Sequence, residues 1–309
     1  MKKILLATTL LAGSAGFAAA DITWAGSATA GIAQNGTANC AAVVPATVPP
    51  STVCSDPNGT GLSDDAFHTY SSAGLDVTFS GATDGGLTFG ATFDMTAGRS
   101  YTLADDDGFD DASGAFGMPE VWVEGTYGRL AFSSDEYDFY DDTNAGGDAE
   151  YTGTFGSFSV GLIADVDTNN ASAKVGFTTG NLALSANADT YDLFNVEAIY
   201  TMGVFAFTAA TDESSNASLK VAYDSNGLSA SAQYNTNGGD ALASPSIDVA
   251  VGYEANGLKV EASADDVGQA NSTTAVWTVT AEYDLGGGLS VEAGTNYTQD
   301  MMLGAKMSF

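Results

Sequence analysis

The sequence predicts an all-β fold, a transmembrane antiparallel up-and-down β-barrel with short periplasmic turns and longer external loops. Long segments such as residues 87–98 alternate between apolar and polar positions, and tight glycine-containing turns separate many of these segments. After the first 20 residues, no apolar run approaches the roughly 18 residues that a transmembrane helix needs. A strand that crosses a bilayer on a tilt needs about nine to eleven residues, more than a typical soluble strand has.

Residues 1–20 have the pattern of a secretory signal peptide. Lys2 and Lys3 precede an apolar run, and a stretch of three alanines offers a cleavage site before Asp21. We therefore assign residues 1–20 to the signal and residues 21–309 to one barrel domain. The signal holds two of the eight basic residues and none of the 39 acidic ones, which leaves six against 39 and a formal charge of −33. Such a charge argues against nucleic acid as a partner.

The first predicted strand covers residues 22–34, and the long connection after it, residues 35–66, holds both cysteines. Cys40 and Cys54 close a loop of 15 residues. Because an exported protein enters an oxidising compartment, we expect a disulfide worth roughly 3 kcal/mol that ties down a surface loop. Free thiols or a redox site are the alternative, which no C-x-x-C spacing supports.

The following segments read as hairpins. Strands at residues 67–80 and 87–98 are followed by an acidic segment at residues 105–111, by strands at residues 120–127 and 129–134, and by a second acidic segment at residues 135–148. From residue 149 onward the hairpins become regular, with turns near residues 156, 180–181, 203, 225–227, 255–257 and 286–288. Asn-Gly and glycine-rich pairs supply the positive φ angles of tight hairpins. The direct count of strands is 18.

Aromatic residues recur on the apolar strand face shortly before the tight turns. They are Tyr127, Phe177, Tyr200, Tyr223, Tyr253 and Tyr283, joined by Phe309. Tyrosines that share one depth in the membrane anchor a barrel, because their rings lie in the apolar band and their hydroxyls reach the headgroups. We predict a membrane girdle. Tyrosines scattered through a soluble core are the alternative, which does not explain their shared position beside the turns.

The other strand face is predicted to be a charged pore wall. Alternation places these residues on it: Arg129, Lys174, Lys220, Lys259, Lys306, Glu124, Glu197, Asp248, Glu261, Glu282 and Glu292. An arginine or lysine on the lipid face near the bilayer midplane would cost about 2–4 kcal/mol. The charged face is therefore expected to enclose water.

The last strand has one apolar face, formed by Met301, Leu303, Ala305, Met307 and Phe309, and a small or polar face that includes Lys306. Its aromatic end resembles the C-terminal β-signal of Gram-negative outer-membrane proteins, which implies the barrel-assembly machinery as a partner. We expect this strand to close the barrel against the first. An ordinary terminal strand of a soluble β-sandwich is the alternative.

Residues 79–91, 125–130 and 283–309 carry a further resemblance. In these segments the chain resembles the short-chain general porins of alpha-proteobacteria. The resemblance implies an outer-membrane homotrimer of 16-stranded barrels, each with a water-filled pore for passive diffusion of small hydrophilic solutes and ions. It also implies that the loop after strand five folds inward with acidic residues that face basic wall residues. On this chain that constriction loop corresponds to Asp135, Glu136, Asp138, Asp141, Asp142 and Asp148. The loop is short for the family, and 16 strands disagree with the direct count.

These features favour a cation-preferring channel over two other classes. We expect no enzyme and no catalytic residues, because His68 is the only histidine and no nucleophile motif accompanies it. The alternative function is a secreted acidic calcium-binding adhesin or surface structural protein. Neither an EF-hand loop nor a nonapeptide glycine-aspartate repeat is present. No cofactor is expected to be required, and the candidate ligands for optional Ca²⁺ are Asp105, Asp107 and Asp110, or Asp138, Asp141 and Asp142.

Overall fold

The computed structural model describes residues 21–34, 67–103, 109–112, 119–137, 147–167, 169–236, 245–267 and 276–309. These ranges contain the strands β1 (Asp21–Gln34), β2 (His68–Ala82), β3 (Thr88–Tyr101), β4 (Phe109–Ala112), β5 (Glu120–Gly125), β6 (Gly128–Tyr137), β7 (Gly147–Phe155), β8 (Phe158–Asp165), β9 (Asn170–Thr179), β10 (Leu182–Asp189), β11 (Phe194–Met202), β12 (Phe205–Asp212), β13 (Ala217–Ser225), β14 (Leu228–Asn235), β15 (Ser246–Ala255), β16 (Leu258–Val267), β17 (Val276–Gly286), β18 (Leu289–Asn296) and β19 (Met301–Ser308). Across the same ranges, no helix has the length and apolar character needed to cross a membrane.

The strands form one closed antiparallel sheet. β1 pairs with β2 on one side and with β19 on the other, so the first and last strands close the barrel. β4 and β5 both pair with β3, at residues 98–101 and 88–92, and so share one position in the wall. The barrel therefore has 18 strand positions, which confirms the direct count. The number 16 that the resemblance implied is wrong for this chain, because every hairpin after residue 149 contributes two full wall strands.

Both acidic segments that we predicted as loops contain strand residues. Asp110 and its neighbours form β4 from the first segment, and the second contributes to both β6 and β7. In β6, Phe132 pairs with Ala149 but Tyr137 pairs with Gly147, so residues 133–136 form a bulge. A bulge breaks the two-residue alternation, which explains why the pattern ended this strand at residue 134 instead of at Tyr137.

The predicted tight turns are confirmed. Asn226 and Gly227 have φ angles of 52° and 78°, and Asn256 and Gly257 have 51° and 80°. Two successive positive φ angles define the type I′ turn, whose twist matches that of the strands it joins. Gly156 has a φ of 65° and leads the two-residue connection of β7 to β8. These turns all lie at one end of the barrel, the turn end, and the longer connections lie at the other, the loop end.

Phe309 completes the seam between the first and last strands. Its N–H donates to the Gly26 carbonyl at 2.9 Å, and the Gly26 N–H donates to the Phe309 carbonyl at 2.7 Å. The Phe309 ring covers Gly26 so closely that a Cβ there would meet the ring at 2.2 Å. The expected closure of the terminal strand against the first is therefore observed, and both backbone and side chain contribute to it.

The two sides of the wall differ in chemistry. Large apolar side chains such as Val221 and Leu219 lie on one side, half-exposed. On the other side, Lys220, Ala222 and Glu261 line a recess of about 470 Å³. The polar side is the inside, because the concave face of a closed sheet is where side chains of non-adjacent strands converge.

Candidate pore lining

Every wall residue predicted from the alternation lies on the inner side. Strand register links them in rows, in which Lys220 faces Gln233 and then Asp248, and Lys259 faces Glu282 and then Glu292. Glu124 lies directly opposite Arg129, and both line a second recess of about 490 Å³ together with Lys174. Glu197, Glu261 and Lys306 follow the same alternation on β11, β16 and β19. The function of these residues in conduction stays a prediction.

Arg129 is held between two carboxylates. Its Nη2 contacts the Glu120 carboxylate, and its Nη1 lies 4.0 Å from Oε2 of Glu150 on the neighbouring strand β7. The Tyr137 hydroxyl donates to Glu120 at 3.1 Å, and the guanidinium lies 5.5 Å from the centre of the Trp122 ring. Since both acids are only partly exposed, the positive charge of Arg129 is compensated locally and does not stand alone in the lumen.

Lys259 is also compensated. Its Nζ lies 2.9 Å from Oε2 of Glu261, which is two positions further along β16 and therefore on the same face. Glu254 and Glu282 are its direct cross-strand neighbours. An exposed pair of this kind contributes little to stability. Its effect on the pore is local, because it leaves no uncompensated positive charge on this part of the wall.

Two pairs of acidic residues lie directly opposite each other on the inner wall. Asp76 of β2 faces Asp94 of β3, and Glu282 of β17 faces Glu292 of β18. Like charges at directly opposed positions repel, and a cation between them lowers that repulsion. The wall predicted from the sequence lacked Asp76, Asp94, Glu120 and Glu150. The alternation with Leu75, Val77, Phe93 and Met95 contained the signal for the first two.

The predicted constriction loop is only partly described. Asp138, Asp141 and Asp142 lie outside the described residues, and Asp135 and Glu136 belong to the bulged part of β6, not to a loop. Asp148, also predicted as a loop residue, is in β7, where its carboxylate accepts a hydrogen bond of 2.9 Å from the Val166 N–H. This contact ties Asp148 to the end of the adjacent hairpin.

The predicted girdle residues lie near the turn end, on the outer face. Tyr200, Tyr253 and Tyr283 are half-exposed there, and Tyr127 and Phe309 are the most exposed of the set. Phe177 packs on Phe158 with ring centres 4.8 Å apart, and Tyr223 packs on Phe205 at 5.3 Å. The structure thus places these aromatics at a common end of the barrel. Their contact with lipid headgroups stays a prediction.

The remaining predicted sites fall largely outside the described residues. These are Cys40, Cys54, Asp105 and Asp107, while only the backbone of Asp110 is described. Within the described part of the chain, no group of three or more histidine, cysteine, aspartate or glutamate side chains converges as metal ligands would. The His68 ring packs edge-on against Phe109 at 5.7 Å between ring centres.

Comparison with known proteins agrees with this geometry. A family model described as Gram-negative porin matches residues 7–301. A variant of Rh. blastica porin with three substitutions is similar in structure, with a TM-score of 0.54, 16% identity, and coverage of 94% of this chain and 100% of the other. A triple mutant of Rhodopseudomonas blastica porin is also similar, with a TM-score of 0.53, 14% identity, and coverage of 94% of this chain and 100% of the other. No curated protein sequence matches the chain.

The family match extends over nearly the whole chain, and the closed wall with a polar inner face is the architecture of a channel and not that of a secreted adhesin. The resemblance inferred from three short segments is therefore confirmed. The chain belongs to the Gram-negative porin family and is an outer-membrane β-barrel channel.

Proposed function

We propose that this channel admits small hydrophilic solutes and ions by passive diffusion and prefers cations. The observation that carries the proposal is the arrangement of charge on the inner wall. Arg129 and Lys259 lie beside carboxylates, whereas Asp76 faces Asp94 and Glu282 faces Glu292. These two basic residues are thus locally compensated, while two pairs of acids face each other, so the wall field favours positive ions.

Only charges near the permeating ion contribute to this preference. At 0.15 M salt the Debye length is about 8 Å, so much of the formal charge of −33 at distant surfaces is screened. Acids on the inner wall border the pore and therefore lie closer to a permeating ion than acids at distant surfaces do. We also propose that Asp138, Asp141 and Asp142 add to the preference, as the resemblance implies for a constriction loop, together with Asp135, Glu136 and Asp148 in the strands that flank this segment.

Assembly and processing form a second part of the proposal. Membership of the family supports a homotrimer, insertion by the barrel-assembly machinery and a role in transport without catalysis. The pattern of residues 1–20 supports their removal as a signal peptide. The carboxylates at residues 105–110 and 138–142 are the candidate ligands for optional Ca²⁺.

The reversal potential of the purified channel in a KCl gradient tests the cation preference. We expect the wild-type value to have the sign of cation selectivity, and we expect D76N/D94N and E282Q/E292Q each to shift it towards zero, most strongly at low ionic strength. D138N/D141N/D142N measures the contribution of the loop. The same measurement with added CaCl₂ reports whether Ca²⁺ changes the selectivity through these acids.

T78V/T92V is the matched control. Thr78 and Thr92 lie opposite each other on the same inner wall, with their hydroxyls 3.1 Å apart, at the positions next to the Asp76–Asp94 pair. Their replacement changes polarity but no charge, and it should leave the reversal potential unchanged. Cation preference set by the wall would be contradicted if all three acid-to-amide variants kept the wild-type reversal potential.

A further inference from the structure

Three aromatic side chains at the loop end are buried on the inner side of the barrel. Tyr70 of β2 is 4% exposed, Tyr101 of β3 is 9% exposed and Phe109 of β4 is 6% exposed. We call these three residues the aromatic cluster. A single-layer wall leaves most of its side chains half-exposed, as Val221 is on the outer face. Burial to this degree therefore requires a second layer of protein over the inner wall.

Tyr70 forms the base of this second layer and lies flat across the wall. Its hydroxyl sits over Gly31 of β1 and Gly304 of β19, where a Cβ would come within 2.6 and 2.1 Å of it. Gly31 and Gly304 are direct cross-strand partners, so together they leave a gap in the inner face. The same hydroxyl reaches to 3.5 Å from Oε1 of Glu292 on β18. The ring thus spans the seam where the barrel closes.

The upper part of the layer comes from the end of β3 and the start of β4. The Tyr101 ring packs on Tyr70 at 5.9 Å between centres, and its hydroxyl donates to the Gln34 carbonyl at 3.4 Å. Phe109 packs on Tyr101 at 5.0 Å. The side chains at the end of β3 and the start of β4 therefore lie over β2 and β1 on the inner side of the wall.

Leu103 adds a second contact with β18. Gly294 is on the inner face of β18, and a Cβ added to it would come within 2.2 Å of the Leu103 Cδ1. β3 and β18 are separated in the wall by β2, β1 and β19. We call Gly31, Gly304 and Gly294 the glycine strip. It provides a smooth inner surface on adjacent strands, and Tyr70 and Leu103 rest on it.

We propose that the side chains of the aromatic cluster and Leu103 form a clamp on the glycine strip, and that this inner layer narrows the pore from the side of the closing seam. This constriction is separate from the one expected after β6, because its contacts are with β18, β19 and β1. The site is at the loop end, where Leu103 and Met302 also pack against the cluster. Ions pass through the cross-section that remains open, so the clamp limits conductance.

Single-channel conductance in symmetric KCl tests the proposal. The double variant Y101A/F109A removes two of the three rings of the aromatic cluster, and we expect its conductance to rise roughly 1.5-fold above wild type, because the open cross-section increases. The size limit for neutral polyethylene glycols should increase with it. Heat-modifiable migration on gels establishes that the measured protein is a folded barrel.

The matched control is F79A/F93A. Phe79 and Phe93 also form a packed aromatic pair on adjacent strands, with ring centres 5.9 Å apart, but on the outer face. This variant loses comparable side-chain volume and is expected to keep the wild-type conductance.

L103A is the second test, because it removes the contact with Gly294 and the edge contact with the aromatic cluster but leaves all three rings in place, and is the milder change. We expect a higher and noisier conductance than wild type from it. Folded L103A or folded Y101A/F109A with wild-type conductance and size limit would overturn the proposal. Failure of L103A to fold would also overturn it, because a layer that only covers an already closed wall is not needed for closure.

Discussion

Arginine in place of Val221 is expected to destabilise the folded barrel by about 2–4 kcal/mol. Val221 is the fifth of the nine residues of β13, which places it close to mid-depth, and its side chain is 45% exposed on the outer face. A guanidinium there must lie in hydrocarbon or deform the bilayer around it. Urea unfolding of the barrel refolded in lipid vesicles, followed by tryptophan fluorescence, measures the loss of stability.

Ala222 provides the control at the next position of the same strand. Its side chain faces the recess that Lys220 and Glu261 also line, so an arginine there meets water and nearby carboxylates. We expect A222R to unfold within about 1 kcal/mol of wild type, since substitutions on the water-filled side avoid the cost of the lipid face. Equal destabilisation by V221R and A222R would show that the inner and outer faces are assigned wrongly.

Deletion of Phe309 is expected to lower the amount of folded barrel strongly. The deletion removes the two backbone hydrogen bonds to Gly26 and the ring that covers it, at the seam where the barrel closes. Two such bonds are worth about 1–3 kcal/mol together, before the contribution of the ring. Outer-membrane levels of heat-modifiable protein, and refolding of the purified chain into vesicles, give the two measurements.

Two variants separate the possible causes of this loss. F309A keeps the backbone bonds and loses only the ring, and L285A removes another exposed apolar side chain of the turn end, on β17 and away from the seam. A low yield in cells with normal refolding in vesicles would assign the effect of Phe309 to recognition during assembly. Normal levels of the deletion variant in both measurements would contradict any role of Phe309 in closure or recognition.

Much of the fold is predictable because barrel strands follow local rules. The two-residue alternation assigns each side chain to water or lipid, and pairs such as Asn226-Gly227 mark hairpins through the φ angles that they adopt. These signals give 18 strands, the two ends of the barrel and the inner position of every lysine after residue 20. The strand number implied by family resemblance was less accurate than the count, because short shared motifs do not fix how many hairpins lie between them.

The parts that were not predicted depend on contacts between distant residues. β4 is short and acidic, and the bulge in β6 interrupts the alternation around Asp135, so neither has a local signature of a strand. The glycine strip reads in sequence only as glycines within strands. Only the structure shows that the side chains of Tyr70 and Leu103 pack directly on these glycines.

The sequence predicts which charged residues lie on the inner wall more completely than it predicts which of them contact one another. Alternation places Arg129 on the inner face, but it does not show that Glu120 and Glu150 enclose the guanidinium. It also does not show that Asp76 faces Asp94, because cross-strand register depends on the turn between the strands. Ion selectivity depends on which charged residues lie next to each other on the wall, and the structure shows these neighbours whereas the composition does not.

Planar-bilayer recording of the purified, refolded chain tests the central claim most directly, namely that the closed wall encloses a continuous aqueous pore. We expect stepwise openings with an ohmic current–voltage relation and a reversal potential in a KCl gradient that indicates cation preference. A folded, heat-modifiable protein that inserts into the bilayer without conductance steps would contradict it.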